Sequence, residues 1–221
     1  MHKNLVLLGL VLMVAACNPT DPSSNKTAAA KQATDKPSAP KVEPRVARAE
    51  PVNAMPLGLE LGYSNLEGAE QVLGVRPTPA IVDTDADGIA DTNADGVVYE
   101  INGNDLNIEG LQKAMLIYDP EGNMQAAMLL FSRGNRMETK EVGQAIGTLS
   151  SKYHRVRQNY NSFMDFGSAV FEQGDSWVHL DAPHVSDTML LTYTTKTFRT
   201  LFENNVQAQA DQANDRKQNA L

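Results

Sequence analysis

The densest chemistry in the chain lies between Asp83 and Gly96, in DTDADGIADTNADG. Five aspartates fall within thirteen positions, at odd spacing, with two glycines among them. Calcium takes six to eight hard oxygen ligands, mostly carboxylates and carbonyls, and a glycine permits the sharp turn that wraps the chain around it. Aspartates at alternate positions converge on one point when the chain curls in this way. Read as such a loop, Asp83, Asp85 and Asp87 take positions 1, 3 and 5, Gly88 position 6, the Ile89 carbonyl position 7 and Asp91 position 9. Position 12, where a bidentate acid belongs, is Ala94, and Asp95 stands one residue late. A second, overlapping register runs Asp91, Asn93, Asp95 and Gly96, with Val97 and Tyr99 at positions 7 and 9, and its position 12 is Asn102. The same residues also suit a solvated acidic turn without an ion, because Asp, Asn and Gly are turn formers.

The DxDxDG pattern resembles EF-hand loops and, more closely, the DxDxDGxxD run of thrombospondin type 3-like repeats in secreted bacterial proteins. That resemblance implies one or two Ca2+ ions held by Asp83, Asp85, Asp87, Ile89, Asp91, Asn93 and Asp95, with Asp91 shared between the registers. Two incomplete loops imply weak binding, on the order of 10⁻⁴–10⁻³ M, where extracellular calcium modules work. Charge favours a cation here. The chain has 221 residues and a formal net charge of -8. Eight of its 27 acids lie between Pro77 and Gln112, a stretch with no Lys or Arg, and the rest equal the 19 basic residues in number. The net charge therefore resides in one segment, whose field repels phosphates and excludes nucleic acid as a partner.

A second constellation is His179, Asp181 and His184 in HLDAPH. Two His and one Asp are zinc donors, but no further clear ligand or general base accompanies them. On a strand, residues 179 and 181 share a face, but Pro183 breaks the strand before His184. The competing reading is a half-exposed strand His and an unrelated loop His. No Gly-x-Ser-x-Gly elbow, Gly-rich phosphate loop or His-Glu-x-x-His motif occurs. The expectation is a non-enzymatic protein. The alternative is a periplasmic hydrolase acting through His179, Asp181 and His184, or through a metal at the Asp loop.

The single cysteine, Cys17, ends LVLLGLVLMVAAC, so no disulfide forms within the chain. A short basic start and a twelve-residue apolar run, too short to span a bilayer, match a signal peptide. Val14-Ala15-Ala16-Cys17 resembles the bacterial lipobox. The resemblance implies cleavage before Cys17 and acylation of its thiol, with Asn18 implying sorting to the outer membrane. Several acyl chains, at about 0.8 kcal/mol per buried methylene, anchor stably. Expected partners are the membrane through this anchor and an envelope protein or polymer.

These groups must be positioned by the rest of the chain. Residues 1–16 read as the signal peptide, and 17–55 as the acylated cysteine and a Pro/Ala/Ser-rich tether too poor in large apolar residues to order itself. An α+β head spans 56–202, and 203–221 is a frayed helix or tail. In the head, Ser64 and Glu67 form a capping box, Leu66, Ala69, Val72 and Leu73 form one helical face, and Gly74 is the stop. Strands are predicted at Val97–Ile101, Leu106–Ile108, Leu111–Tyr118 and Met124–Phe131, with the last two joined by the turn DPEGN. A second helix spans Glu138–Tyr153, and strands follow at 154–160, 168–173, 176–181 and 188–194. Phe198, Leu201 and Phe202 then dock a C-terminal helix on the sheet. Two helix-plus-antiparallel-meander units suggest an internal duplication. The layout resembles the small lipoproteins of the outer-membrane barrel-assembly machinery and β-lactamase-inhibitor proteins, in architecture alone. Phe171, Trp177, Met115, Met124 and Met128 read as core.

Overall fold

The computed structural model describes residues 42–80, 97–134 and 140–204. Cys17, the expected ligands from Asp83 to Asp95, and the tail from 205 lie outside the described residues. The described strands are β1 (Thr78–Pro79), β2 (Val97–Asn102), β3 (Leu111–Tyr118), β4 (Met124–Ser132), β5 (His154–Asn161), β6 (Phe166–Gln173), β7 (Ser176–Ala182) and β8 (Thr188–Thr195). They form one antiparallel sheet in the order β1-β2-β3-β4-β8-β7-β6-β5. Helix α1 (Leu66–Leu73) precedes the first four strands and α2 (Glu141–Lys152) the second four. A third helix, α3, runs from 196 to 204, the last described residue of that stretch. The two meanders meet at their final strands, with Leu129 opposite Leu191. The class is α+β, with the sheet dominant.

Alternation along the strands gives the sheet two unlike faces. On the first, Leu116, Leu129, Phe171, Val178, Leu180 and Leu191 pack with Ala69 of α1 and with Val142, Ile146 and Leu149 of α2. Met124 and Phe171 are core residues there, as expected. On the second face a smaller cluster of Val98, Ile117 and Ala126 meets Met115 and Phe198.

Several boundaries differ from the sequence reading. The helix α1 is capped by Asn65, whose side chain accepts from the Gly68 amide, and not by Ser64. Ser64 is buried, and its hydroxyl donates to the Val46 carbonyl. Gly74 does terminate α1, in the left-handed conformation at φ 68°, where glycine carries no Cβ penalty. Residues Leu106–Ile108 are not a strand. A 3-10 turn spans Gly103–Leu106 and ends at a left-handed Asn107.

The largest correction concerns the tether. Residues 42–55, read as part of it, run along the head as an ordered strap, with Asn53 and Ala54 buried. The fixing group is Glu60, whose side chain is fully buried. Its carboxylate accepts from the Arg48 amide (2.8 Å), the Val52 amide (3.0 Å) and the Arg48 guanidinium (2.5 Å). Burial alone would raise the Glu60 pKa, but the strap amides and Arg48 outweigh it and hold the pKa below the usual carboxylate value. The strap also crosses α1 so closely that a Cβ at Gly68 would lie 2.0 Å from the Arg45 carbonyl oxygen.

Candidate functional site

On the second face, α3 stands over the sheet and leaves a cavity of about 300 Å³ beneath it. Its floor comes from Ile117, Ala126 and Met128 on β3 and β4, with Trp177 and His179 on β7. Phe198 and Phe202 of α3 form the wall. Trp177 and Met128 therefore line this cavity and are not part of the main core. The strand β7 alternates strictly between buried and half-buried positions, so Trp177, His179 and Asp181 project to this face.

The placement of α3 is local chemistry. The Thr195 hydroxyl, buried at the end of β8, accepts from the Phe198 amide at 3.2 Å and donates to Gln125 Oε1 at 2.8 Å. This is a side-chain N-cap that also ties the helix to β4. Cations on α3 then cover the Trp177 ring, with the Arg199 Cζ 5.2 Å and the Lys196 Nζ 5.9 Å from its centroid, an attraction worth about 0.5–2 kcal/mol each. Arg199 donates from Nε to Glu203 at 2.7 Å. Phe198 and Phe202 face inward as expected, whereas Leu201 points to solvent. The cavity is thus mostly apolar, with His179, Thr192 and Thr194 as the polar groups of its floor and with Arg199 and Glu203 at its rim.

Half-burial of the imidazole pushes the His179 pKa down. Asp181 opposes the shift, while Arg199 and Arg157 reinforce it. The ring is consequently neutral at pH 7 and presents one donor and one acceptor. The predicted pairing of His179 and Asp181 on one strand face is present, but the expected constellation does not assemble. His184 lies past Pro183 in the loop, edge-on to the Phe166 ring at 4.7 Å. Neither Asp181 nor His184 lines the cavity. Among the described residues, no three His, Cys, Asp or Glu side chains come together as a metal site.

The sequence reading missed a buried polar centre at the start of α2. The position before that helix, Lys140, is left-handed and offers no side-chain cap. Asp165, 1% exposed, supplies the cap from the β5–β6 turn. Its carboxylate accepts from the Val142 amide (3.0 Å), the Gly143 amide (3.1 Å) and the Tyr160 hydroxyl (2.7 Å). Burial would raise the Asp165 pKa, but Tyr160, the two amides and the nearby Arg133 outweigh it and depress it. Burial and the same carboxylate push the Tyr160 pKa up to about 12. No helix-length spacing links Asp165 to Val142, so pattern reading could not find the pair. This centre is fully occupied by protein groups and holds the fold.

No protein-family model, curated protein or solved structure matches the chain.

Proposed function

We propose that the chain is an outer-membrane lipoprotein, acylated at Cys17, whose head is a non-enzymatic binding module. The observation that carries the binding role is the cavity between α3 and the second sheet face. A mostly apolar recess with a few polar groups at its rim is the usual form of a ligand site. Here it suits an apolar side chain of an envelope protein or polymer. Calcium, in this reading, is a structural ion held by Asp83, Asp85, Asp87, Ile89, Asp91, Asn93 and Asp95, and it offsets the repulsion among the carboxylates. The hydrolase alternative through His179, Asp181 and His184 has less support, because only His179 lines the cavity and no three such side chains come together among the described residues.

Photocrosslinking in intact cells tests the binding role. A photoreactive residue at Met128 is expected to give one discrete envelope adduct that Phe202→Asp removes. No adduct above that from the exposed position Leu201 would sink the proposal. The two halves we attribute to internal duplication, supported by the shared order of helix then four strands and by the central β4–β8 pairing. Superposing α1–β4 on α2–β8 checks it, and an overlay that matches no more than one hairpin counts against it.

A further inference from the structure

The end of the sheet farthest from the β3–β4 turn carries exposed apolar residues on two loop tips. Phe163 is 76% and Met164 40% exposed on the β5–β6 turn, and Val185 is 87% exposed on the β7–β8 loop. The two tips are tied together. Arg133, buried where β4 ends, donates to the carbonyls of Pro183 and Ser186 at 3.2 Å each, and also to the carbonyl of Asp165. One guanidinium therefore spans both loops, and the Phe166–His184 ring contact crosses the same gap.

The first tip is also held in shape. The Asn161 side chain accepts from the Phe163 amide at 3.0 Å and the Met164 amide at 3.1 Å. The Lys140 ammonium donates to the carbonyls of Ser162 (2.9 Å) and Phe163 (3.1 Å). These bonds fix the backbone of the turn, and the Phe163 ring it carries stands outward. An aromatic held outward in advance has little ordering entropy left to lose on binding.

We propose that the tips bearing Phe163, Met164 and Val185 seat in the surface of a lipid bilayer. The tips protrude, whereas a protein anchor residue is usually matched by a recess. Residues 162–164 and 184–186 include no Asp, Glu, Lys or Arg. The Asp165 carboxylate is turned inward, and the one exposed carboxylate of the two loops, Asp187, stands at the base of the β7–β8 loop, next to the start of β8. Lys140 stands directly behind the apolar tip, where an ammonium meets lipid phosphates while the apolar group enters the acyl boundary. The inference rests on the anchor reading. The 25 residues from Cys17 to Val42 span at most about 3.3–3.6 Å each, several times the roughly 30 Å length of β4. Both the anchor and the tips can therefore engage one membrane.

The full chain, reconstituted into phosphatidylethanolamine–phosphatidylglycerol vesicles that contain brominated lipid, tests this. In a Trp177→Phe background, which removes the chain's one native tryptophan, Phe163→Trp adds a reporter at the tip, and Val52→Trp adds one at the opposite end of the sheet, beside Gly174. Emission from the tip reporter is expected to be quenched at least twofold more than that from Val52→Trp, and Val185→Asp is expected to reduce the difference. Equal quenching at the two positions overturns the proposal. So does concentration-dependent self-association that Phe163→Asp abolishes, which would assign the tips to a second copy. Flotation with the vesicles separates the two readings. A chain that does not float overturns the anchor alone, and the same quenching comparison at millimolar lipid then decides the tips.

Discussion

Asp165→Ala removes a carboxylate that three donors share. Two are amides in the first turn of α2, and an N-cap of this kind contributes about 0.5–2 kcal/mol. The third is the half-buried Tyr160 hydroxyl, and a buried polar group left unpaired costs about 1–3 kcal/mol. Because the groups act together, a total of about 3 kcal/mol is expected, out of a stability of about 5–15 kcal/mol for a domain. Urea unfolding of the full chain at pH 7, followed by circular dichroism, measures it as a lower midpoint at unchanged slope. Tyr160→Phe should lose only about 1 kcal/mol, because the amides keep their acceptor.

Acid sharpens the test. The folded-state pKa of Asp165 is depressed below the ordinary 3.8, so its contribution is present in full above that value and is lost as pH falls through the folded value. The gap between the parent and Asp165→Ala should therefore hold from pH 7 to about pH 5 and narrow below pH 4. A gap under about 1 kcal/mol at pH 7 would refute the capping argument. A gap that acid leaves untouched would show that the charged form is not what the site prefers.

Further outcomes follow from the same packing. A Cβ at Gly143 would lie 2.5 Å from the Tyr160 hydroxyl, whereas one at Gly147 meets nothing within 4 Å. Gly147→Ala should thus stabilise by about 0.5–1 kcal/mol, and Gly143→Ala should lose about 1 kcal/mol by displacing Tyr160; equal midpoints in urea would be evidence against the clash. Glu60→Ala strands the strap amides and should cost about 2–4 kcal/mol while opening the chain to trypsin at Arg45 and Arg48, seen as new cleavage products in limited proteolysis. The Glu60 pKa is likewise depressed, from 4.5, so that protection should be full above about pH 4.5 and fade as pH falls through the lower folded value. Millimolar calcium should raise the melting temperature relative to chelator, and Asp83→Asn with Asp85→Asn should erase the response; superimposable calorimetric traces would remove calcium from the account.

How much was legible follows from which force orders each element. Seven strands, β2 to β8, lie within two residues of their expected bounds; β7 and β8 alternate strictly against a buried face, and the turns at DPEGN and Gly174-Asp175 fix two of the hairpins. The helix α2 was visible through Val142, Ile146 and Leu149 for the same reason. Where hydrogen bonds do the ordering, the pattern fails. The strap at 42–55 offers little apolar area and reads as tether, yet Glu60 organises it by satisfying amides that no periodicity identifies. Asp165 caps a helix that begins 24 positions before it, in a turn that reads as plain loop. The cavity falls between these cases. Trp177 and His179 were assignable to one strand face, but whether that face is core or groove depends on where α3 starts. Thr195 decides that, by ending β8 and capping α3 in the same residue. Moving the cap by one residue would turn Phe198 and Phe202 by about 100° around the helix axis and remove the wall of the cavity. Binding capacity in this head is thus set by a junction, and the aromatic residues alone do not reveal it.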